Sequence, residues 1–477
     1  MNDLAAHADQ LRALIEDPRE PLRGLFSAGN PIMLARAPGR LDVMGGIGDY
    51  SGSLVLEMPI AQAAYVAAQK SRGGGVCIVA SPEQLTGELI QATLSADQWL
   101  KLMRSDYETA RRILQDVPHA GWVAYVLGPV LTLMRETPAR LDGGLRILIV
   151  YGVPMGKGVS SSAAVEVATM RAVAALAEHE MAGEEIARLC QLAENRVVGA
   201  PCGIMDQMTS ALGRENQLLA LLCQPATVEG YVAIPEGVAF WGVDSGIRHA
   251  VSGSDYTSVR TGAFMGYRIL AELAGLEVKP AGDVPGAMVI DDPIWNGYAA
   301  NVTPAEFRAR FAEAVPREMS GSNFLARYGG ITDTVTWVDP ARTYAVREPL
   351  LHPIGENERA HRFRELLRGE ITDAALREMG ALMYAAHASY SACGLGSDGT
   401  DLLVELVRAR GPASGLYGAK ITGGGSGGTV AILGRADAGP AVDELASEYT
   451  RRSGRETYIF HGSSPGAWAT EVMEVTT

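Results

Sequence analysis

Residues 145–176 read LRILIVYGVPMGKGVSSSAAVEVATMRAVAAL. LRILIVY has the length and apolar density of a buried strand. The run from Ser160 to His179 is rich in Ala and free of Gly and Pro, so it is expected to be a helix. Between them lies GVPMGKGV. In this order the N–H groups of a turn and of an unsatisfied helix N-terminus converge on one point, which attracts phosphate. Gly156 and Gly158 would let the backbone approach an anion closely. The hydroxyls of Ser160, Ser161 and Ser162 could cap the helix, bond phosphate or ligate magnesium. A Walker A loop is excluded: it needs G-x-x-x-x-G-K-[ST], whereas here three residues separate Gly152 from Gly156 and Lys157 is followed by Gly158.

On the N-terminal side, PIMLARA (31–37) reads as a strand that delivers APGRLDVMGGIGDYSG (37–52) into a loop, and LVLEMPIAQAAYVAAQ (54–69) as a largely buried segment. Leu4, Leu11, Leu14 and Ile15 predict a short helix over 3–16 ending before Pro18. On the C-terminal side a helix over 183–199 precedes APCGIMDQMTSALG, and QLLALLC (217–223) and AFWGVD (239–244) read as strands. Residues 275–345 show little periodicity. Beyond them LYGAKI, TVAIL, a helix over 439–452 and ETYIF alternate β and α. The expected division is a 25–225 domain and a 226–477 domain, each large enough for its own core.

The 477 residues include 41 basic and 55 acidic side chains, a formal net charge of -14. That balance argues against sequence-independent binding to nucleic acid or anionic membrane and for a small-molecule partner. The five scattered cysteines form no CxxC pair, which suits reduced thiols and a cytoplasmic setting. The first twenty residues have no apolar core of a signal peptide, and no apolar run approaches the roughly 20 residues of a membrane span.

Two further stretches carry chemistry. GAKITGGGSGGTVAI places glycines at 423, 424, 425, 427 and 428 between apolar runs, more than a hairpin needs, so a ligand is expected to be held there from a second side. Glu194 ends an amphipathic helix, and Asp206 is flanked by apolar residues in GIMDQM. Buried carboxylates are costly unless paired, hydrogen-bonded or used chemically. His387, Cys393 and Asp398 match no zinc spacing; Ser397 and Asp398 read as a helix cap.

APGRLDVMGGIGDYSG, GVPMGKGVSSSAA and GAKITGGGSGG, with AENRVVGAPCGIMDQM between the second and third and GWVAYVLG and SGIRHAVSGSDYTSVR beside them, resemble the signature set of the GHMP small-molecule kinases. The likeness is closest to the galactokinase branch and to its arabinose-phosphorylating members. It spans roughly residues 30–465 and implies an α/β (α+β) fold of two domains. The N-terminal one would be like domain 2 of ribosomal protein S5 and the C-terminal one ferredoxin-like, with the active site in the cleft between them. It also implies ATP and Mg²⁺. Carried over residue by residue, Asp206 is the catalytic base and Arg40 the cation beside the attacking hydroxyl. Glu194 and Ser161 or Ser162 would hold magnesium. Trp122 would lie near adenine, and Pro154, Gly156, Gly158, Ser160–Ser162, Gly424 and Gly425 near the nucleotide.

Sugar contacts are expected from Arg40, Gly46, Ile47, Asp49, Tyr50, Asp206 and Tyr256, with Asp244 a further candidate. In galactokinases the stretch corresponding to Gly45–Tyr50 resembles GEHTDY, with Glu and His near the sugar O6; here those positions are Gly46 and Ile47. L-Arabinopyranose has the ring stereochemistry of galactose without the CH2OH, so loss of polar partners and gain of an apolar side chain point to it. Galactose is the alternative substrate. A non-catalytic sugar sensor of the same fold is a third reading, disfavoured because Ser160–Ala164 are complete.

Overall fold

Two long strands, β1 (Ile32–Met44) and β2 (Leu54–Ser71), pair antiparallel and are almost wholly buried. They belong to the computed structural model of this chain, which describes residues 13, 15, 17, 20–81, 89–117, 120–248, 254–282 and 286–476. The helix expected over 3–16 lies outside the described residues, except that Ala13 and Ile15 are helical. The motif at 37–52 is not all loop, as expected, because β1 continues through APGRLDVM. Irregularities in its pairing between Pro38 and Arg40 and between Asp42 and Met44 absorb the Pro and Gly that suggested a break. Only residues 45–53 leave the sheet, and 46–51 of them form a short 3-10 turn.

β3 (Val76–Ser81), β4 (Ile90–Leu94) and β5 (Gly144–Tyr151) extend this sheet in the order β2-β5-β3-β4. β6 (Gln217–Leu222) pairs with the start of β2, and β7 (Thr227–Ala233) pairs with β6. Helices α1 (Ala96–Arg104), α2 (Tyr107–Gln115) and α3 (Ala120–Glu136) follow β4; α4 (Ser161–Leu176), α5 (Gly183–Ala193) and α6 (Met205–Leu212) follow β5. α4 packs across β1 and β2, with Ala163, Ala164, Val167 and Ala168 buried; small side chains allow a helix to approach a sheet this closely. The helix expected over 183–199 is α for its first part only. At Glu194–Val198 it widens into a π turn, where the N–H groups of Gly199 and Ala200 both reach the Glu194 carbonyl.

β8 (Val238–Asp244) opens a second sheet, so the chain crosses between sheets over 234–237. Helix α7 (Ser254–Leu273) leads into the weakly periodic region. There the ribbons β9 (Glu277–Pro280) with β10 (Met288–Asp291), and β11 (Glu318–Ser320) with β12 (Thr343–Ala345), accompany α8 (Pro304–Arg310) and α9 (Gly321–Tyr328). These short elements share a core of their own around Trp295, Phe307, Phe311 and Phe324. Helices α10 (Arg347–Arg368), α11 (Asp373–Ala392) and α12 (Asp398–Arg410) precede β13 (Leu416–Ile421) and β14 (Thr429–Arg435), and α13 (Gly439–Ser453) precedes β15 (Ile459–His461). The order β13-β14-β8-β15 is antiparallel throughout, so the alternating pattern read near the C-terminus makes an α+β layer rather than a parallel unit. β16 (Met473–Val475) returns to the edge of the first sheet beside β1. Among the described residues, no helix is long and apolar enough to cross a membrane.

Candidate active site

Arg40 leaves β1 where its pairing is irregular, and Asp206 stands in the first turn of α6. The guanidinium Nε and Nη2 lie 2.9 and 2.8 Å from Asp206 Oδ1, and Nη1 donates to the Gly158 carbonyl at 2.9 Å. Glu57 of β2 flanks the same guanidinium at 3.2 Å from Nε. Burial works against the Arg40 charge, but Asp206, Glu57 and Asp42 outweigh it and hold its pKa above the ordinary value. Arg40 is therefore a permanent buried cation. Asp206 differs from its neighbours in keeping part of its side chain open, at 20% exposure against 2% for Arg40.

The 3-10 turn after β1 brings Asp49 beside this pair. Asp49 is buried, and its carboxylate occupies the space a side chain at 203 would take: an ideal Cβ on Gly203 would lie 1.7 Å from Oδ2. Burial pushes the Asp49 carboxyl up to about 7, Asp206 adding to the shift and Arg260 opposing it. Arg260 is itself held by a two-point pair with Asp333, at 2.7 and 2.9 Å, so the region at 275–345 anchors a cation behind Asp49. Tyr50 packs edge-on against Tyr256 with ring centroids 6.0 Å apart.

Gly156 and Gly158 have left-handed φ of +74° and +71°, and Ser160, the N-cap of α4, has φ of +59°. The capping expected of Ser160 is not made: its hydroxyl is buried with no hydrogen-bond partner among the described residues. An N-terminus with such a hydroxyl and free N–H groups suits a phosphate. The second glycine loop backs the first. A Cβ at Gly428 would meet the Lys157 carbonyl at 2.9 Å, one at Gly423 the Gly158 carbonyl at 2.8 Å, and Thr429 Oγ1 donates to the Lys157 carbonyl at 2.8 Å. Lys157 pairs with Asp244 at the end of β8.

The buried carboxylates of Glu166, on α4, and Glu194, where α5 widens, share the amide of Gln207, whose Nε2 donates to them at 3.1 and 2.6 Å. Burial and the Asp206 charge push the Glu194 carboxyl up, against hydrogen bonds from Cys202, Gln207 and Ser162. Two carboxylates that resist ionising beside a Ser hydroxyl are hard oxygen donors suited to a magnesium ion, whose charge would favour their ionised forms.

These elements enclose a cavity of about 410 Å³. Arg40, Ile47, Asp49, Trp122, Gly156, Gly158, Ser160, Ser161, Ser162, Asp206, Tyr256 and Gly424 all line it. Gly46, Tyr50, Pro154, Glu194, Asp244 and Gly425 are not in that lining; Gly425 lies instead against Leu395 and Tyr390. Tyr125, Tyr151, Cys202 and Gly203 also line the cavity and were not singled out from the sequence. Tyr125, one turn from Trp122 on α3, was within reach of helical spacing; Gly203 carried no local signal. His387 Nε2 faces Asp401 at 3.1 Å, and Ser397 caps α12.

Residues 124–214 match the family described as GHMP kinases N terminal domain, and residues 23–70 match the galactokinase galactose-binding signature. A galactokinase of Chloroflexus aggregans is 31% identical over 433 residues, covering 89% of this chain and 90% of that protein. The chain belongs to the GHMP kinases, in the galactokinase branch. The L-arabinokinase of Arabidopsis thaliana is 43% identical over 490 aligned residues, covering 94% of this chain but 47% of that protein. This GHMP kinase chain thus spans about half the length of that relative. A Lactococcus lactis galactokinase complexed with galactose shares the fold, with a TM-score of 0.70 at 18% identity over 99% of this chain and 100% of that one.

Proposed function

We propose that this GHMP kinase transfers the γ-phosphoryl group of ATP to the anomeric hydroxyl of L-arabinose, giving β-L-arabinose 1-phosphate and ADP. The observation that carries the reading is Ile47, an apolar side chain in a cavity whose other polar fixtures are those of a sugar kinase: Arg40 against Asp206, with Asp49 alongside. The 43% identity with an L-arabinokinase supports the same substrate, while the galactose-binding signature at 23–70 supports galactose as the alternative.

In this reading Asp206 accepts the O1 proton as O1 bonds to the γ-phosphorus and the bond to the ADP oxygen breaks. Arg40 stabilises the developing alkoxide. Phosphoryl transfer has a loose transition state, so alignment and neutralisation do most of the catalysis. The loop at Gly156–Ser162 with Gly424 cradles the phosphates, Pro154 and Gly425 shape the two loops from outside the lining, and Trp122 flanks the adenine. Gly46, Ile47, Asp49, Tyr50 and Tyr256 shape the sugar end. Magnesium would be held by Ser162 and Glu194 and would supply positive charge to the phosphates. Division into a 25–225 nucleotide-binding part and a 226–477 part, and a cytoplasmic setting, belong to the same proposal.

The test is arabinose-dependent ADP release. It should be lost in Asp206→Asn while ATP binding, read by calorimetry, persists; sugar binding without turnover in the unmutated protein would mean a sensor, not a kinase.

A further inference from the structure

Gly46 does not face the cavity. It has φ of +47°, and an ideal Cβ built on it would lie 1.8 Å from the hydroxyl oxygen of Tyr390 and 2.8 Å from Cζ. The contact joins residues 344 positions apart (390 - 46), one in the 3-10 turn after β1 and the other near the end of α11. The tyrosine is fully buried and cannot swing aside cheaply. Its oxygen accepts from the Ile47 N–H at 3.0 Å and donates to the Gly423 carbonyl at 2.8 Å. Moving it would leave a buried N–H and a buried C=O unpaired. Its ring is clasped edge-on by His352, with centroids 4.9 Å apart, and lies under Lys420.

Ile47 does line the cavity, and it packs in one apolar cluster with Tyr390, Tyr256, Leu395 and Ile421. Its backbone N–H is the group tethered by Tyr390. The same hydroxyl therefore does two things: it fills the volume of any side chain at 46, and it fixes the residue that presents an apolar surface to the sugar. Gly46 is favoured by its left-handed φ, and the nearest atoms to a Cβ there are those of Tyr390, with Asp42 Oδ2 next at 3.0 Å. Resting on the sugar-kinase reading above, we propose that Tyr390 is the specificity-determining positioning residue of the sugar end. In this role it bars a polar side chain from position 46 and holds Ile47 in the wall that meets C5 of the sugar.

The test compares kcat/KM for D-galactose and L-arabinose in four proteins: wild type, Tyr390→Phe, Gly46→Glu, and Gly46→Glu/Tyr390→Leu. A purely structural tyrosine would lower both sugars together, so the ratio of the two is the informative readout. Gly46→Glu alone should lose activity on both sugars and show no gain in the galactose-to-arabinose ratio. The double variant should raise that ratio by about tenfold or more, the range a change of one group in a pocket can yield. Tyr390→Phe, which keeps the ring and frees Ile47, should raise the arabinose KM about tenfold with kcat within about threefold, and should shift the ratio toward galactose by about threefold.

An unchanged ratio in Tyr390→Phe, or a galactose gain in Gly46→Glu alone equal to that in the double variant, would overturn the proposal. If the double variant does not fold, Tyr390→Phe decides alone. Failure of the underlying reading looks different: wild type that prefers galactose removes the arabinose assignment, while the shift between wild type and Tyr390→Phe still reports on Tyr390.

Discussion

The carboxylate of Asp49 stands where a side chain on Gly203 would be, with Oδ2 1.7 Å from the ideal Cβ position. The turn that carries Asp49 and the segment that leads into Asp206 are thereby fitted to each other without slack. Gly203→Ala should push Asp49 out of place and raise the sugar KM by about tenfold to a hundredfold, the scale expected of misplacing a positioning group by about 1 Å. Steady-state kinetics with sugar and ATP varied separately would check it; an effect confined to the ATP KM would point elsewhere.

The raised carboxyl of Asp49 gives a pH dependence with a definite sign. In the folded, ligand-free protein Asp49 ionises at about 7, above the usual carboxylate range, chiefly because it is buried. In the proposed role the ionised carboxylate accepts from sugar hydroxyls at both oxygens, which protonation removes from one, so kcat/KM for the sugar should fall as pH drops below about 7. Stability runs the other way. A group whose pKa is raised by folding contributes stability that is full below its unfolded value and lost as pH rises through about 7. The advantage of Asp49→Asn over wild type in thermal stability should therefore grow as pH rises from about 4 to about 7 and level off above, measured by calorimetry without ligands.

Removing donors from the pair assigned to magnesium should change the metal requirement before anything else. Glu194→Gln or Ser162→Ala should raise the half-saturating magnesium concentration about tenfold or more, read from activity at fixed ATP and sugar. Glu194→Gln should cost little stability, because burial already favours the neutral form of this carboxyl in the ligand-free protein.

Lys157 tests the coupling of the phosphate loop to the second sheet. Its partner Asp244 is 1% exposed, whereas Lys157 is 29% exposed. Lys157→Ala should cost about 2 kcal/mol, less than a fully buried pair because water reaches the lysine. Adding Asp244→Asn should restore part of that loss; a double-mutant cycle in urea showing no coupling would separate the two groups.

The phosphate loop was legible because each of its features is local: an apolar strand, three glycines and an Ala-rich helix within 32 residues of sequence, 145–176. The run of β1 through Pro38 and Gly39 was not, since the partner that holds those residues in the sheet is β2 and the carbonyl of Val159 that receives the Arg40 N–H is distant in sequence. Residues 275–345 showed little periodicity because their elements are short and bury into a core of their own around Trp295 and Phe324. Gly46 illustrates the limit most clearly. Its lack of a side chain is visible at once and suggests a missing sugar partner; the positive φ and the tyrosine on a helix far along the chain that fills the space of a side chain there are not visible. Contacts of that kind leave no pattern in a window of neighbouring residues.

The most direct measurement is the ratio of kcat/KM for L-arabinose to that for D-galactose, from ADP release by the unmutated protein with saturating ATP and magnesium. The account predicts a preference for arabinose of about tenfold to two hundredfold, the range reached by packing against one extra group, with residual turnover of galactose. Equal or better kcat/KM on galactose would contradict it.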